Sequence, residues 1–154
     1  MRSIGGDRGR DARGDTVGLI VSGRAVVPGE ATGIVLRSRR AISLWGGVDP
    51  ETGKIIDPRH DRCGASLAGR VFVYPGEKGS STGSAVLLEL VRRGLAPAAL
   101  VTGSLAPVAA LGSIVAEELY GKAVPVLLVA RDDLDLLKDG DHVCIGSDGT
   151  VRHG

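Results

Sequence analysis

Three consecutive hydroxyls, Ser80, Ser81 and Thr82, stand in the segment GEKGSSTGS at residues 76–84, and these are the side chains best placed for chemistry. A hydroxyl on a glycine-rich turn that opens a helix lies among unpaired backbone N–H groups, at the positive end of the helix dipole. Such a position favours an anion. A serine there keeps an anionic substrate close and, with its own oxyanion stabilised, exchanges a proton with it. The same residue types also serve as plain helix caps. For a single hydroxyl capping is the commoner role, but Gly76, Gly79 and Gly83 around three hydroxyls weigh toward a site.

The flanking residues define what holds this turn. Val71, Phe72, Val73 and Tyr74 form a short β-branched and aromatic run that Pro75 ends, which predicts a strand. Val86, Leu87, Leu90 and Val91 then fall at helical spacing, with Gly94 as the stop. Two better-known motifs compete at the turn. A phosphate-binding P-loop needs Gly-Lys-Ser/Thr, whereas here Lys78 precedes Gly79. Residues 79–83 also match G-x-S-x-G, which would make Ser81 the nucleophile of a hydrolase, with Asp132, Asp133 or Asp135 and then His142 or His153 in the right chain order. Against this, residues 75–78 separate the strand from the serine, whereas a nucleophile elbow turns directly off its strand.

Size and composition bound the rest. The 154 residues suit one domain with a real core. Trp45, Phe72, Tyr74 and Tyr120 are the only aromatics, so the core must be built from Val, Leu, Ile and Ala. The 24 glycines are about twice the usual share, which predicts many tight turns. A net charge of +1 with interspersed signs and few stacking platforms argues against a nucleic-acid surface. Cys63 and Cys144 lack the paired spacing of a zinc or iron–sulfur site and read as free thiols. No apolar run reaches a membrane-spanning length and no signal peptide opens the chain, so a cytoplasmic location is expected.

Along the chain, residues 1–15 are rich in Gly, Arg and Asp and are expected to form a disordered tail, with the folded domain at 16–154. The tail's Arg13-Gly14-Asp15 resembles an integrin-recognition tripeptide, read here as coincidence. Short apolar runs at 17–21, 24–28, 33–36 and 41–45 predict strands joined by turns. Residues 45–53 predict an irregular loop. A second loop, 57–64, carries His60, Asp61 and Cys63; a lone His beside an Asp is more often a solvated loop residue than a catalytic one. From residue 69 onward the pattern alternates: strand 70–74, helix 84–93, strand 98–102, helical residues 107–120 with a break expected at Gly112, and strand 124–130. This order predicts an α/β fold with a parallel sheet buried on both faces and ligands at the C-terminal strand ends. A hairpin around residues 142–145 closes the chain.

The motifs SLWGGVDPETG at 43–53, GASLAGR at 64–70 and KGSSTGS at 78–84 together resemble the small subunit, or swivel domain, of the aconitase X family. The resemblance covers residues 17–152. It implies a three-layer swivelling β/β/α domain, with a central parallel sheet and an additional β-layer. It also implies a hydro-lyase subunit that is active only with a large subunit carrying the iron–sulfur cluster, the family's known substrates being cis-3-hydroxy-L-proline and phosphomevalonate. Of these, the arginine-rich tail inclines toward a cis-3-hydroxyproline-type acid. In the wider aconitase superfamily the first serine of a Gly-Ser-Ser-Arg turn is the catalytic base, which maps onto Ser80. Gly79, Ser81, Thr82, Trp45, Gly46, Gly47 and Asp49 become the expected substrate-binding residues, and no metal ligand falls on this chain. Thr82 departs from the superfamily's arginine. It cannot grip a carboxylate with paired hydrogen bonds, and Arg92 and Arg93 lie at the far end of the helix. A non-catalytic partner-binding scaffold and the Ser81 hydrolase remain the alternatives.

Overall fold

The computed structural model describes residues 18–154; the expected tail, with its Arg-Gly-Asp, lies outside them. The strands are β1 (Leu19–Ser22), β2 (Arg24–Val27), β3 (Ala31–Arg37), β4 (Val71–Tyr74), β5 (Ala99–Thr102), β6 (Val126–Leu128), β7 (His142–Ile145) and β8 (Thr150–His153). A single-turn helical segment α1 (Leu44–Gly47), two longer helices, α2 (Gly83–Arg93) and α3 (Pro107–Tyr120), and a 3₁₀ turn, Arg131–Leu136, complete the element order.

Strands are ordered β1-β8-β7-β3-β4-β5-β6-β2. The long strand β3 belongs to two layers. Its first half, from Ala31 to Ile34, pairs antiparallel with β7, and its second half, from Val35 to Arg37, pairs parallel with β4. At the other edge β1 and β2 are one chain bent at Gly23, whose N–H bonds Gly149 O at 2.8 Å. The sheet therefore folds over on itself at two corners.

Alternation along the strands fills both sides of the parallel layer. Val71, Val73, Ala99, Val101 and Leu127 face the antiparallel layer, joining Val143, Ile145 and Val151 in one core. Phe72, Tyr74, Leu100 and Val126 face the helices, joining Val86, Leu87, Leu90 and Ala109 in a second. Two cores between three layers give the β/β/α order, with strands read correctly as buried on both faces. Each fully buried Leu or Phe contributes about 1.5–3 kcal/mol.

Two local expectations fail. Residues 41–45 are not a strand: only Ile42 makes an isolated parallel bridge, to Glu77, before the chain turns into α1. With Ser43 and Gly47 flanking a short turn, no partner strand is in reach for the rest of the run. Gly112 does not break its helix, because α3 is continuous over 14 residues. A Cβ at Gly112 would lie 2.8 Å from Ser84 O and 3.1 Å from Leu87 Cβ, so the missing side chain lets α2 and α3 approach closely. The closing hairpin forms as expected, β7 pairing antiparallel with β8.

β3, β4 and β5 run parallel, so the segments that follow them leave the sheet at one end. These are residues 38–43, 75–82 and 103–106, and they carry the candidate chemistry.

Candidate active site

The 75–82 segment is held from both sides by backbone bonds. Ile42 N–H donates to Gly76 O at 3.1 Å, and Lys78 N–H donates to Ile42 O at 3.0 Å, which zips residues 76–78 to the chain leaving β3. Glu77 fixes the other side. Its two carboxylate oxygens accept the N–H groups of Val108 at 2.7 Å and Ala109 at 3.1 Å, at the first turn of α3. A carboxylate there satisfies two orphan donors and meets the helix dipole. Glu77 also acts on the core below it. Burial, and then the nearby Glu77 charge, push the Tyr74 hydroxyl well above its ordinary pKa.

Gly79 makes the corner. Its φ is +86°, a conformation that favours glycine, and a Cβ there would stand 3.0 Å from Ser43 Cβ and overlap the Ser43 hydroxyl. The chain then exposes Ser80, Ser81 and Thr82 in succession. Ser80 Oγ accepts the Thr82 N–H at 3.0 Å, while Ser80 O accepts the Gly83 N–H at 3.1 Å. Thr82 itself caps nothing with its side chain. Of the three hydroxyls, Ser80 is the one whose oxygen receives a backbone N–H at the mouth of α2. That bond favours the ionised form of the hydroxyl.

The α1 turn sits directly beside this feature. A Cβ on Gly83 would be 3.1 Å from Leu44 Cβ and 3.4 Å from Trp45 N, so the Leu44–Trp45 backbone rests on the start of α2. Trp45 is 58% exposed and Gly46, at φ +82°, is exposed beside it. Trp45 and Gly46 thus flank the serine turn, while Gly47 is buried and bonds Ile56 N–H through its carbonyl. Asp49 is engaged elsewhere. Its carboxylate accepts Glu51 N–H at 2.9 Å and its carbonyl accepts Gly53 N–H at 2.8 Å, which makes it the organiser of its own turn.

Nothing in this geometry builds the hydrolase. His142 and His153 lie on β7 and β8 in the antiparallel layer, with the parallel sheet between them and α2. Ser81 is not strained either, since no described non-glycine residue has a positive φ.

His60 overturns a sequence expectation. It is not solvated but 6% exposed, with its ring centre 6.5 Å from that of Phe72. Arg62 N–H donates to its Nδ1 at 3.0 Å, so the ring proton sits on Nε2, facing Ser38 Oγ at 3.0 Å and Arg40 O at 3.3 Å. Fully buried Ser38 Oγ lies 3.0 Å from Asp61 Oδ1 and 2.8 Å from Arg40 O, two acceptors that share its one proton, and Asp61 Oδ2 accepts Arg39 N–H at 2.8 Å. A serine, a histidine and an aspartate meet here, but the imidazole donates to the serine and its Nδ1 accepts a backbone donor, the reverse of a nucleophilic triad. The cluster is a clamp. It ties residues 38–40 to the 57–64 loop. Sequence reasoning missed Ser38 because the bond spans 22 residues and Ser38 lies in no motif.

Among the described residues no group of His, Cys, Asp or Glu can hold a metal ion, and Cys63 and Cys144 are free thiols. No helix is long and apolar enough to cross a membrane.

Residues 20–153 match the family model of the aconitase X swivel domain. The chain belongs to that family. In the solved holo-form aconitase X of Thermococcus kodakaraensis, the similar chain superposes with a TM-score of 0.78 at 37% identity, covering 87% of this chain and 97% of that one. The phosphomevalonate dehydratase small subunit of Methanosarcina mazei is 39% identical over 132 residues, 84% of this chain and 88% of the relative. The cis-3-hydroxy-L-proline dehydratase of Pseudomonas aeruginosa is 47% identical over 103 residues, 67% of this chain but 18% of the relative. This chain thus spans nearly all of one aconitase X relative and under a fifth of the other. The family's swivel domain occurs both as a small separate chain and within a much longer one.

Proposed function

We propose that this chain is the swivel subunit of a cytoplasmic aconitase X-type dehydratase and that Ser80 is its proton acceptor. The observation that carries this reading is the environment of Ser80 Oγ: exposed, at the mouth of α2, and accepting the Thr82 N–H. In the reaction Ser80 removes the proton α to the substrate carboxylate, the released electron pair forms the carbon–carbon double bond, and the hydroxyl on the neighbouring carbon departs toward a large partner subunit. Gly79 shapes the approach, Ser81 and Thr82 supply neutral hydroxyls, and Trp45 and Gly46 wall the substrate from the α1 side, with Gly47 and Asp49 holding that wall's backbone.

The iron–sulfur cluster implied by the family does not fit the described residues of this chain, so its place is the large subunit. Two substrates are supported. The higher identity to the Pseudomonas aeruginosa relative favours cis-3-hydroxy-L-proline. The near-complete coverage of a separate small subunit favours mevalonate 5-phosphate.

The test is co-expression with the gene for a large aconitase X partner, followed by dehydratase assays on both compounds. Ser80→Ala is expected to lower kcat by about 10²–10⁴-fold, the usual worth of a positioned base, and Ser81→Ala by much less. A larger loss from Ser81→Ala, together with labelling of Ser81 by a fluorophosphonate, would overturn the assignment in favour of a hydrolase.

A further inference from the structure

A polar cleft of about 260 Å³ opens beside the serine turn, lined by Arg40, Ala41, Asp57, Arg59, His60 and Lys78. Three separate segments supply it. Arg40 leaves β3, Arg59 and His60 come from the 57–64 loop, and Lys78 lies two residues before Ser80. Asp57 is the only carboxylate in the lining, and its Oδ1 is taken by Arg59 N–H at 3.0 Å. The side chains of Arg40, Arg59 and Lys78 make no ion pair among the described residues, whereas Arg37, Arg62, Arg92 and Arg93 are all paired with carboxylates. Three cations against one carboxylate leave the cleft net positive, and a positive cleft attracts an anion.

The cleft is also built rather than incidental. The clamp of buried Ser38 and His60 with exposed Asp61 fixes the Arg40 backbone through its carbonyl and the Arg39 backbone through its N–H. Two residues on, Ile42 bonds both Gly76 and Lys78. The same short segment therefore sets Arg40 and Lys78 relative to each other and leads into Ser80. Thr82 lacks the guanidinium that would hold a substrate carboxylate at the serine turn itself, and this cleft offers two guanidiniums and an ammonium one step away.

We propose that this cleft is an oxyanion subsite, in which Arg40, Arg59 and Lys78 hold an anionic group of the substrate, carboxylate or phosphate, while Ser80 works on the adjacent carbon. His60, Ser38 and Asp61 are positioning residues that act through Arg40. The inference rests on the reading of Ser80 as base only for its catalytic meaning; anion binding by the cleft is independent of it.

The experiment titrates the full chain with sodium phosphate and, separately, with sodium acetate at constant ionic strength, following backbone amide resonances. Phosphate is expected to shift the amides of residues 39–41, 58–60 and 78–79 saturably, and the double variant Arg40→Ala/Arg59→Ala to abolish this. Acetate shifting the same amides as strongly assigns a carboxylate to the subsite; a response to phosphate alone assigns a phosphate. In the assembled enzyme the double variant is expected to raise KM about tenfold or more, the worth of a charge-assisted hydrogen bond, with a smaller change in kcat. Ser80→Ala keeps the phosphate shifts while losing turnover, so the two proposals fail separately. An unchanged spectrum with both anions, shifts confined to other basic surfaces, or loss of phosphate binding when the large subunit covers the cleft would each overturn the proposal.

Discussion

Glu77 Oε1 accepts the Val108 N–H at 2.7 Å, so the segment that leads into Ser80 is anchored to the first turn of α3 rather than to its own helix. The neighbouring Ala109 N–H, at 3.1 Å from Oε2, makes the contact two-pronged. Removing it should act on the helix and the serine turn together. Glu77→Ala is expected to cost about 0.5–2 kcal/mol, as for loss of a helix cap, and to lower kcat of the assembled enzyme. Glu77→Gln keeps an acceptor oxygen and should recover part of both. Thermal melts alongside kinetics check this, and equal loss of stability in the two variants would show that the charge, not the acceptor, matters.

Gly79→Ala tests whether the corner sets the position of Ser80. The new methyl meets Ser43 while the backbone is held at φ +86°. The strain of a non-glycine residue in a sparsely populated region is on the order of 1–3 kcal/mol. The turn can relax because it is exposed, so the fold should survive while turnover falls steeply. Near wild-type kcat with a lowered melting temperature would mean that the serine turn tolerates displacement.

Gly112→Ala should destabilise the domain although alanine is the better helix former by about 0.8–1 kcal/mol. Its Cβ would be 2.8 Å from Ser84 O, a backbone atom, and 3.1 Å from Leu87 Cβ. Overpacking of this kind costs typically about 1–3 kcal/mol, so the net expectation is a modest loss, and a melting temperature lower by a few degrees. An increase would show that α2 and α3 can separate freely.

Acid should weaken the end of the molecule that carries the clamp. The Arg37 N–H, 2.9 Å from Asp139 Oδ1, is the first cause of the lowered Asp139 pKa, and the Arg37 guanidinium lowers that of Asp135. For Asp61 burial pulls upward, but the bonds from Arg39 N–H and Ser38 outweigh it and the pKa is lowered. Groups whose folded pKa is depressed give stability that is present above their unfolded pKa, about 3.9, and lost as pH falls through the folded value. Melting temperature should therefore be flat near neutrality and fall below about pH 4. Asp61→Asn should be less stable near pH 7 and show a shallower acid decline. An acid profile unchanged in that variant would remove Asp61 from the clamp.

The parallel sheet and its helices were legible because local patterns carried them. Residues 71–74 and 99–101 are apolar on both faces, Val86, Leu87, Leu90 and Val91 recur at helical spacing, and Gly94 ends its helix in the left-handed conformation. The serine turn was legible for the same reason, since strand, glycines, hydroxyls and helix follow one another in the chain. Residues 41–45 misled because an apolar run does not say whether a partner strand is within reach. Gly112 misled because a glycine that admits a neighbouring helix looks, in one dimension, like a glycine that ends its own.

What only the tertiary structure decided is everything that depends on distant segments meeting. The sequence by itself determined that Ser80 would stand on a turn that opens a helix and that its glycines would permit the turn. It did not place Arg40 and Arg59 beside Lys78, nor bury His60 against Phe72, nor close Ser38 onto Asp61. Those contacts arise where β3, β4 and the 57–64 loop emerge together, and a hydrogen bond across 22 residues leaves no periodicity for a reader of the chain to find.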